Sequence, residues 1–418
     1  MTGALLEAPW IGKIARVFER AGAPLYLVGG AVRNPLMALP ISDVDMCGPA
    51  LPWSVCAFCQ GTEVRAMLRA AHFGTVELHV TDPEGGRHMA EYTTFREDSY
   101  RCGHKPETVR FTTELPVDAL RRDFSVNALY RRAYPDHLGP VIDPTGGLPA
   151  LEQGVLHTVT SDPDRVLRDD GLRILRAVRF QSELDLQPTD ALLCSLKRHA
   201  PLLGDIACER LRDEWEKILL ADLRYPMLKR CRPATASGLL LLRDVGVWPY
   251  LAGDLPFHEA AARAMERMPL GLAPRMALLF SGVAPDGVLA VMQRLRFSSA
   301  QAQAAAGYVR ALQGWNCLFE AAQIGVETLE TAAAIQRALG QSAQPFQDAL
   351  HALADKPLSL RQLAIGGDDL RPVFQAKQVP MKRMGALLNF LWQSVVEGRK
   401  PNERDALLHA AVQWLNQA

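Results

Sequence analysis

The sequence predicts an α+β fold, a mixed-sheet head followed by an all-helical neck, body and tail. Strand-like runs rich in Val, Thr and aromatic residues are confined to the first third of the chain. The turn cluster Asp143-Pro144-Thr145-Gly146-Gly147 closes that part. From about Pro163 onward the strand signals fade, and Ala, Leu, Arg and Glu recur at helical spacing.

Taken in order, the N-terminal stretch MTGALLEAPWIGKIARVFERAG reads as an amphipathic helix; it lacks the basic start and long apolar run of a signal peptide. Leu25–Val28 is a strand ending in Gly29-Gly30, and Glu63–Ala71 reads as helical. FGTVELHV (Phe73–Val80) and HMAEYTTFR (His88–Arg96) alternate enough to be strands. Helices are expected over Asp170–Leu184 and Glu209–Leu220, with Pro201, Pro233, Pro256, Pro274, Pro285 and Pro357 punctuating the rest. The expected division is a head at 1–145, a neck at 146–220, a body at 221–330 and a tail at 331–418.

The 418 residues suffice for several hydrophobic cores. No window offers the ~20 apolar residues of a membrane helix, so a cytoplasmic protein with no membrane partner is expected. Lys plus Arg and Asp plus Glu both number 46. That balance excludes a basic coat protein, and any nucleic-acid contact must come from local segregation of charge. Cys47, Cys56, Cys59, Cys102, Cys194, Cys208, Cys231 and Cys317 are scattered, which argues against a disulfide scaffold. Cys56 and Cys59 form a CxxC that no second pair completes into a zinc set, so they read as small apolar side chains on a helix.

The chemistry is concentrated in LYLVGGAVRNPLMALPISDVDMC, from Leu25 to Cys47. Residues two apart in a strand share a face. Asp43 and Asp45 therefore point together while Val44 points away. Two hard carboxylates suit Mg²⁺, which also binds substrate phosphates, and two such ions serve an in-line phosphoryl displacement. Gly29 and Gly30 let backbone N–H groups approach a triphosphate at a helix start, and Arg33 can hold a phosphate. A Gly-Gly turn or a DxD alone is common; their order within one strand–helix–strand unit carries the reading. Further on, Arg122 in RRDFSVNAL can contact phosphates, Asp123 can accept from a ribose hydroxyl, and Asn127, four residues on along the same expected helical face, offers a donor and an acceptor. In DRVLRDDGLRILRAVRF, Asp170 and Arg173 lie at i,i+3, and Arg176 and Arg179 continue that row.

These segments resemble the class II tRNA nucleotidyltransferase and bacterial poly(A) polymerase superfamily. The first is similar to its GGxVRD…DxD motif, with Asn34 where the family carries Asp; the second to RRDFTINAL; the third to EDxxRxLRAxRF, with Asp169 for the usual Glu. The resemblance implies a polymerase-beta-like nucleotidyltransferase head and makes Glu91 a third catalytic carboxylate. It implies that Asp170 and Arg173 read the Watson–Crick edge of the incoming base. It also implies a helix at Ile206–Leu219 whose Glu209 and Arg210 orient Arg173.

The polar segment Glu97–Thr108 (EDSYRCGHKPET) matches a connection that is shortened in relatives adding only CC. Many relatives carry a metal phosphohydrolase module; here Leu278-Leu279-Phe280-Ser281 stands where its His-Asp pair would, so His258 reads as structural and no second metal site is expected. Leu363–Leu370, Met384–Glu397 and Asn402–Ala406 resemble the C-terminal region of firmicute-type CCA-adding enzymes. Lys382, Arg383, Arg399 and Lys400 there can grip RNA backbone. The implied function is CCA addition to the tRNA 3′ end from CTP and ATP. The competing readings are a poly(A) polymerase, a CC- or A-only enzyme, and a non-catalytic RNA-binding relative.

Overall fold

The computed structural model describes residues 9–82, 84–99, 108–268 and 271–416. The chain forms two compact units, Met1–Asp254 and Leu255–Ala418.

The first unit opens with α1 (Pro9–Arg20), β1 (Tyr26–Val28), α2 (Gly30–Leu36), β2 (Val44–Gly48) and α3 (Pro52–Cys59). β3 (Val64–Ala70), β4 (Thr75–Thr81), β5 (Arg87–Thr94), β6 (Arg96–Ser99), β7 (Thr108–Phe111), α4 (Leu115–Leu120), β8 (Tyr130–Ala133), β9 (Leu138–Ile142) and α5 (Gly147–Gln153) complete its sheet portion. Seven strands form one sheet in the order β3-β4-β5-β2-β1-β8-β9. β2 and β5 run parallel, whereas β1 is antiparallel to both β2 and β8, so the sheet is mixed as expected. Ile11, Ile14 and Phe18 of α1, together with Val55 of α3, bury one face of the sheet against Val76, Leu78, Val80, Ala90 and Tyr92.

One expectation fails. Glu63–Ala71 is not helical: β3 occupies Val64–Ala70 and pairs antiparallel with β4. Its Ala, Met, Leu and Arg favour helix in isolation, but pairing at the sheet edge overrides that preference. The polar segment at Glu97–Thr108 is described only at its two ends, paired as β6 and β7; its centre, including Cys102, lies outside the described residues.

The helical part of this unit comprises α6 (Pro163–Asp169), α7 (Leu172–Leu184), α8 (Asp190–His199), α9 (Cys208–Leu219), α10 (Ala221–Arg224) and α11 (Ala234–Asp244). α7 is buried on nearly all sides. A Cβ at Gly238 of α11 would stand 1.9 Å from Ser182 Oγ of α7, so the close approach of these helices requires glycine there. Cys59 is buried on α3, and burial pushes its thiol up to about 11, consistent with an inert apolar role.

The second unit is helical throughout its described residues, from Glu259–Arg263 to Arg404–Asn416. Its core gathers Leu329, Phe346, Phe374, Leu391 and Leu407. His258 Nδ1 lies 3.3 Å from Ser281 Oγ. Among the described residues no helix is long and apolar enough to cross a membrane.

Candidate functional site

The strand pairing aligns the first two site residues. Asp45 on β2 stands opposite Glu91 on β5, and Glu91 opposite Glu77 on β4, so the three share one row of the sheet. Val44 faces the core and Asp45 the opposite side of the sheet, where it lines the cavity, the alternation expected of a strand. Asp43 precedes β2 by one residue; its side chain is 83% exposed and lies 3.6 Å from Arg224. Burial raises the Asp45 pKa, with the neighbouring Asp43 adding to it against Arg122. Burial also raises the Glu91 pKa, reinforced by Asp45 and Glu77.

Behind the carboxylates runs the glycine turn. Gly29 has φ 65° and ψ −129°, a conformation L-residues rarely adopt. A Cβ there would lie 3.8 Å from Asp45 Oδ2. Gly30 begins α2, which carries Arg33 and Asn34 into the interior. Arg33 donates through Nη2 to Asn34 Oδ1 at 2.7 Å and through Nη1 to Asn127 Oδ1. Asn34 in turn donates to the Pro40 carbonyl at 2.9 Å and to Tyr225 Oη at 3.0 Å. Asn at 34 thus supplies a donor that Asp lacks. Burial pulls the Arg33 pKa down to about 10, against the opposing pull of Tyr225.

Asp123 and Asn127 are joined by a long 3.4 Å hydrogen bond, but not through one α-helical face. Phe124 is extended and bridges to Thr158, and Ser125–Asn127 is a 3₁₀ turn. Asp123 accepts from Arg176 Nε at 2.6 Å and from the Phe124 amide at 2.8 Å. Burial opposes its ionisation, yet Arg176 and Arg173 outweigh burial and hold its pKa at about 2.

The residue that sequence reasoning missed is Asp118 on α4, fully buried beneath Arg121 and Arg122. It accepts from Arg121 Nε at 2.7 Å, Arg122 Nη2 at 3.0 Å and Tyr130 Oη at 2.8 Å. Its spacing of three and four residues before the two arginines was the available signal. Burial works against the Asp118 charge, but Arg122 and Arg121 prevail and hold its pKa at about 2.

Asp170 lies between α6 and α7 in extended backbone rather than on a helical face with Arg173. Asp170 Oδ1 accepts from the Leu172 amide at 3.0 Å, and Oδ2 from Arg210 Nη2 at 2.7 Å. Arg210 therefore orients Asp170. Arg173 is buried and donates to the carbonyls of Val166 at 3.0 Å and Arg121 at 2.6 Å. Arg179 pairs with Glu214 at 2.7 Å and Glu183 at 3.4 Å, inside the helical part.

Asp45, Glu91, Arg122 and Asp170 line one cavity of about 770 Å³, together with Arg121, Arg210, His72 and Phe73. A second cavity of about 780 Å³ is bounded by Asp43, Asp45 and Glu91. Arg33, Asp123, Asn127 and Arg176 form the connected layer behind. Among the described residues no three His, Cys, Asp or Glu side chains converge as a preformed metal cluster. The donor set still fits a hard divalent ion that keeps water and substrate phosphates as its remaining ligands. Two carboxylates abreast whose pKa values rise through burial and mutual repulsion are relieved by a cation.

A family model described as the poly A polymerase head domain matches residues 25–157, and one for a putative tRNA nucleotidyltransferase domain 2 matches residues 276–411. Fold, cavity and these matches define a nucleotidyltransferase, a class of enzyme that generally works with divalent metal ions. The CCA-adding enzyme of Lactiplantibacillus plantarum is 32% identical over 413 residues, covering 95% of this chain and 94% of that one. The crystal structure of the Bacillus stearothermophilus CCA-adding enzyme in complex with CTP superposes with a TM-score of 0.77 at 27% identity, over 100% of this chain and 99% of that chain. The Thermotoga maritima CCA-adding enzyme complexed with tRNA shares the fold, at a TM-score of 0.65 and 17% identity, over 97% of this chain and 94% of that chain. The chain belongs to the family of CCA-adding enzymes.

Proposed function

We propose that this chain extends the 3′ end of tRNA with C, C and A, taking CTP and ATP in turn and using no nucleic-acid template. The 3′-hydroxyl oxygen attacks the α-phosphorus, the bond to the bridging β-phosphate oxygen breaks, and pyrophosphate leaves. The observation that carries this reading is the placement of Asp45 and Glu91 abreast in a cavity that also holds Arg121, Arg122 and Asp170.

Asp43, Asp45 and Glu91 would hold Mg²⁺, which when bound supplies hydroxyl activation and charge neutralisation at the phosphates. Arg122, steadied by Asp118, takes triphosphate oxygens, and the Gly29-Gly30 turn lets the backbone approach them. Arg33 fixes Asn127, and Arg176 fixes Asp123, whose carboxylate accepts from a ribose hydroxyl and so favours ribonucleotides. Asp170 and Arg173 read the base. Only two of the five Arg173 N–H donors are taken by backbone carbonyls at hydrogen-bond distance, which leaves others for the ring acceptor that C and A share. Asp170 accepts from their exocyclic amino groups. U and G present the opposite order, at a cost of about 1–3 kcal/mol per unpaired buried group. Arg179 holds α7 to α9 behind this edge.

In this reading residues 1–145 carry the chemistry, 146–220 the base selection, 221–330 a linking body and 331–418 the tRNA grip, through Lys382, Arg383, Arg399 and Lys400. The enzyme works in the cytoplasm, where its tRNA substrate is. The test is to incubate the protein with tRNA lacking CCA, Mg²⁺ and all four NTPs, then sequence the 3′ ends. Ends in CCA are expected. Long A tracts on unrelated RNA would establish a poly(A) polymerase, and absence of turnover an RNA-binding relative. Asp43→Ala should abolish incorporation and leave tRNA binding intact.

A further inference from the structure

The sheet leaves a gap beside the carboxylates. β5 begins at Arg87, whereas β2 begins at Val44, which pairs with Ala90. Residues 87–89 of β5 thus extend beyond β2, and the chain at Pro40–Asp43 lines the other side of the gap. The second cavity occupies that space. Trp10 and His88 stack along its wall, ring centroids 4.9 Å apart and planes 4° apart. A further cavity of about 420 Å³ shares Arg87 and His88 with it and adds Arg65 and His79.

We propose that this groove seats the 3′-terminal nucleotides of the acceptor RNA, with Arg87 and Arg65 on its backbone phosphates and Met89 beneath a base. The inference rests on the CCA-adding reading and names the second substrate's side of the same site.

Three observations carry it. First, an in-line displacement needs the attacking oxygen and the leaving group on opposite sides of the α-phosphorus. The first cavity offers Arg121 and Arg122 to the triphosphate. The second shares Asp45 and Glu91 with it but is lined by Pro40–Asp43 and Arg87–Met89 in place of those arginines. Second, the charges match a polyanion. Arg65 and Arg87 are exposed and have no carboxylate partner among the described residues. Their neighbour Arg69, by contrast, is paired with Glu77 at 2.7 Å. Strand pairing sets Met89 opposite His79, and His79 opposite Arg65, while Arg87 and Met89 lie on the Glu91 face of β5. Arg65 and Arg87 therefore share the carboxylate face of the sheet with Met89, and Glu63, which lines the same cavity as Arg65, is paired with Lys13 at 2.9 Å. Third, the platform does not read sequence. Met89 is 53% exposed amid these cations, and a soft apolar surface flanked by arginines accepts any base face. An enzyme whose acceptor end changes identity at every addition requires that tolerance.

The test compares the full-length unaltered protein with Arg65→Ala/Arg87→Ala and Arg65→Lys/Arg87→Lys double variants on tRNA lacking CCA. The alanine pair is expected to raise KM for tRNA on the order of tenfold while KM for CTP moves less than about twofold. The log–log salt dependence of tRNA binding should flatten by about 1.4, at roughly 0.7 per lost single-strand phosphate contact. The lysine pair should restore most of both. A tRNA KM within about twofold of the unaltered protein, or a parallel rise in KM for CTP, overturns the proposal. Failure of the unaltered protein to incorporate CTP would instead overturn the CCA-adding reading on which it rests.

Discussion

Asp45 on β2 and Glu91 on β5 stand opposite each other across a parallel strand pair, so backbone hydrogen bonds hold the strands that carry the two carboxylates about 4.8 Å apart. Both pKa values are raised, first by burial and then by a neighbouring negative charge, Asp43 for Asp45 and Asp45 for Glu91. A carboxyl whose pKa is higher folded than unfolded favours the folded state most at low pH. That benefit disappears as pH rises through the raised value. At neutral pH without metal, ionised Asp45 therefore destabilises the fold. Asp45→Asn is expected to raise Tm in EDTA, to remove the further rise that Mg²⁺ gives the unaltered protein, and to lower turnover by at least about 10³-fold. Thermal unfolding with and without Mg²⁺ checks this; a lower Tm in EDTA would sink it.

Gly29→Ala tests the turn that supports this pair. At φ 65° an L-residue carries strain of about 1–2 kcal/mol, and the new methyl would touch Asp45 Oδ2 at 3.8 Å. A lowered urea midpoint is expected, with kcat/KM for CTP falling by about an order of magnitude as the strained turn shifts the backbone beside Asp45. Unchanged kinetics would mean that the turn does not position Asp45.

The chemistry was more legible in the sequence than its geometry. Asp45, Arg122 and Asp170 were named from short motifs and Glu91 from the family resemblance, and the structure brings all four to one cavity. Their partners were not named, since those come from far along the chain. Arg176 reaches Asp123 across 53 residues, and Arg210 reaches Asp170 across 40. Helical periodicity misplaced Asp123 with Asn127 and Asp170 with Arg173. A 3₁₀ turn and an extended break stand there instead, set by the bridge to Thr158 and by the start of α7. β3 was missed because its helix-favouring composition says nothing of the β4 edge it completes.

Asp118→Asn removes the buried charge beneath Arg121 and Arg122. Leaving two guanidiniums without their partner costs about 3–5 kcal/mol, and KM for CTP should rise as both arginines lose their orientation. Its lowered pKa stabilises the fold above the ordinary carboxylate range, and that stability is lost as pH falls towards about 2. Urea unfolding between pH 2 and pH 7 should accordingly show the variant's deficit shrinking with acid; a constant deficit would contradict the ion-pair origin.

Base selection should separate three residues of the helical part. Asp170 is the carboxylate in the cavity, Arg173 follows it with its fork partly on backbone carbonyls, and Arg210 grips Asp170 at 2.7 Å. Asp170→Ala removes the acceptor itself, so the ratio of kcat/KM for CTP to that for UTP should fall by about 5- to 150-fold, the equivalent of 1–3 kcal/mol. Arg173→Ala should cause a similar loss and also lower Tm, because it is buried and ties α7 to the Val166 and Arg121 carbonyls. Arg210→Ala should lose only part of the discrimination and little stability: Asp170 keeps its second bond, from the Leu172 amide at 3.0 Å, and so stays in place although freer to turn. The three single-nucleotide incorporation series, read beside thermal unfolding, check this order. If Arg210→Ala abolished selection while Arg173→Ala left it intact, Arg210 and not Arg173 would be the residue that meets the base.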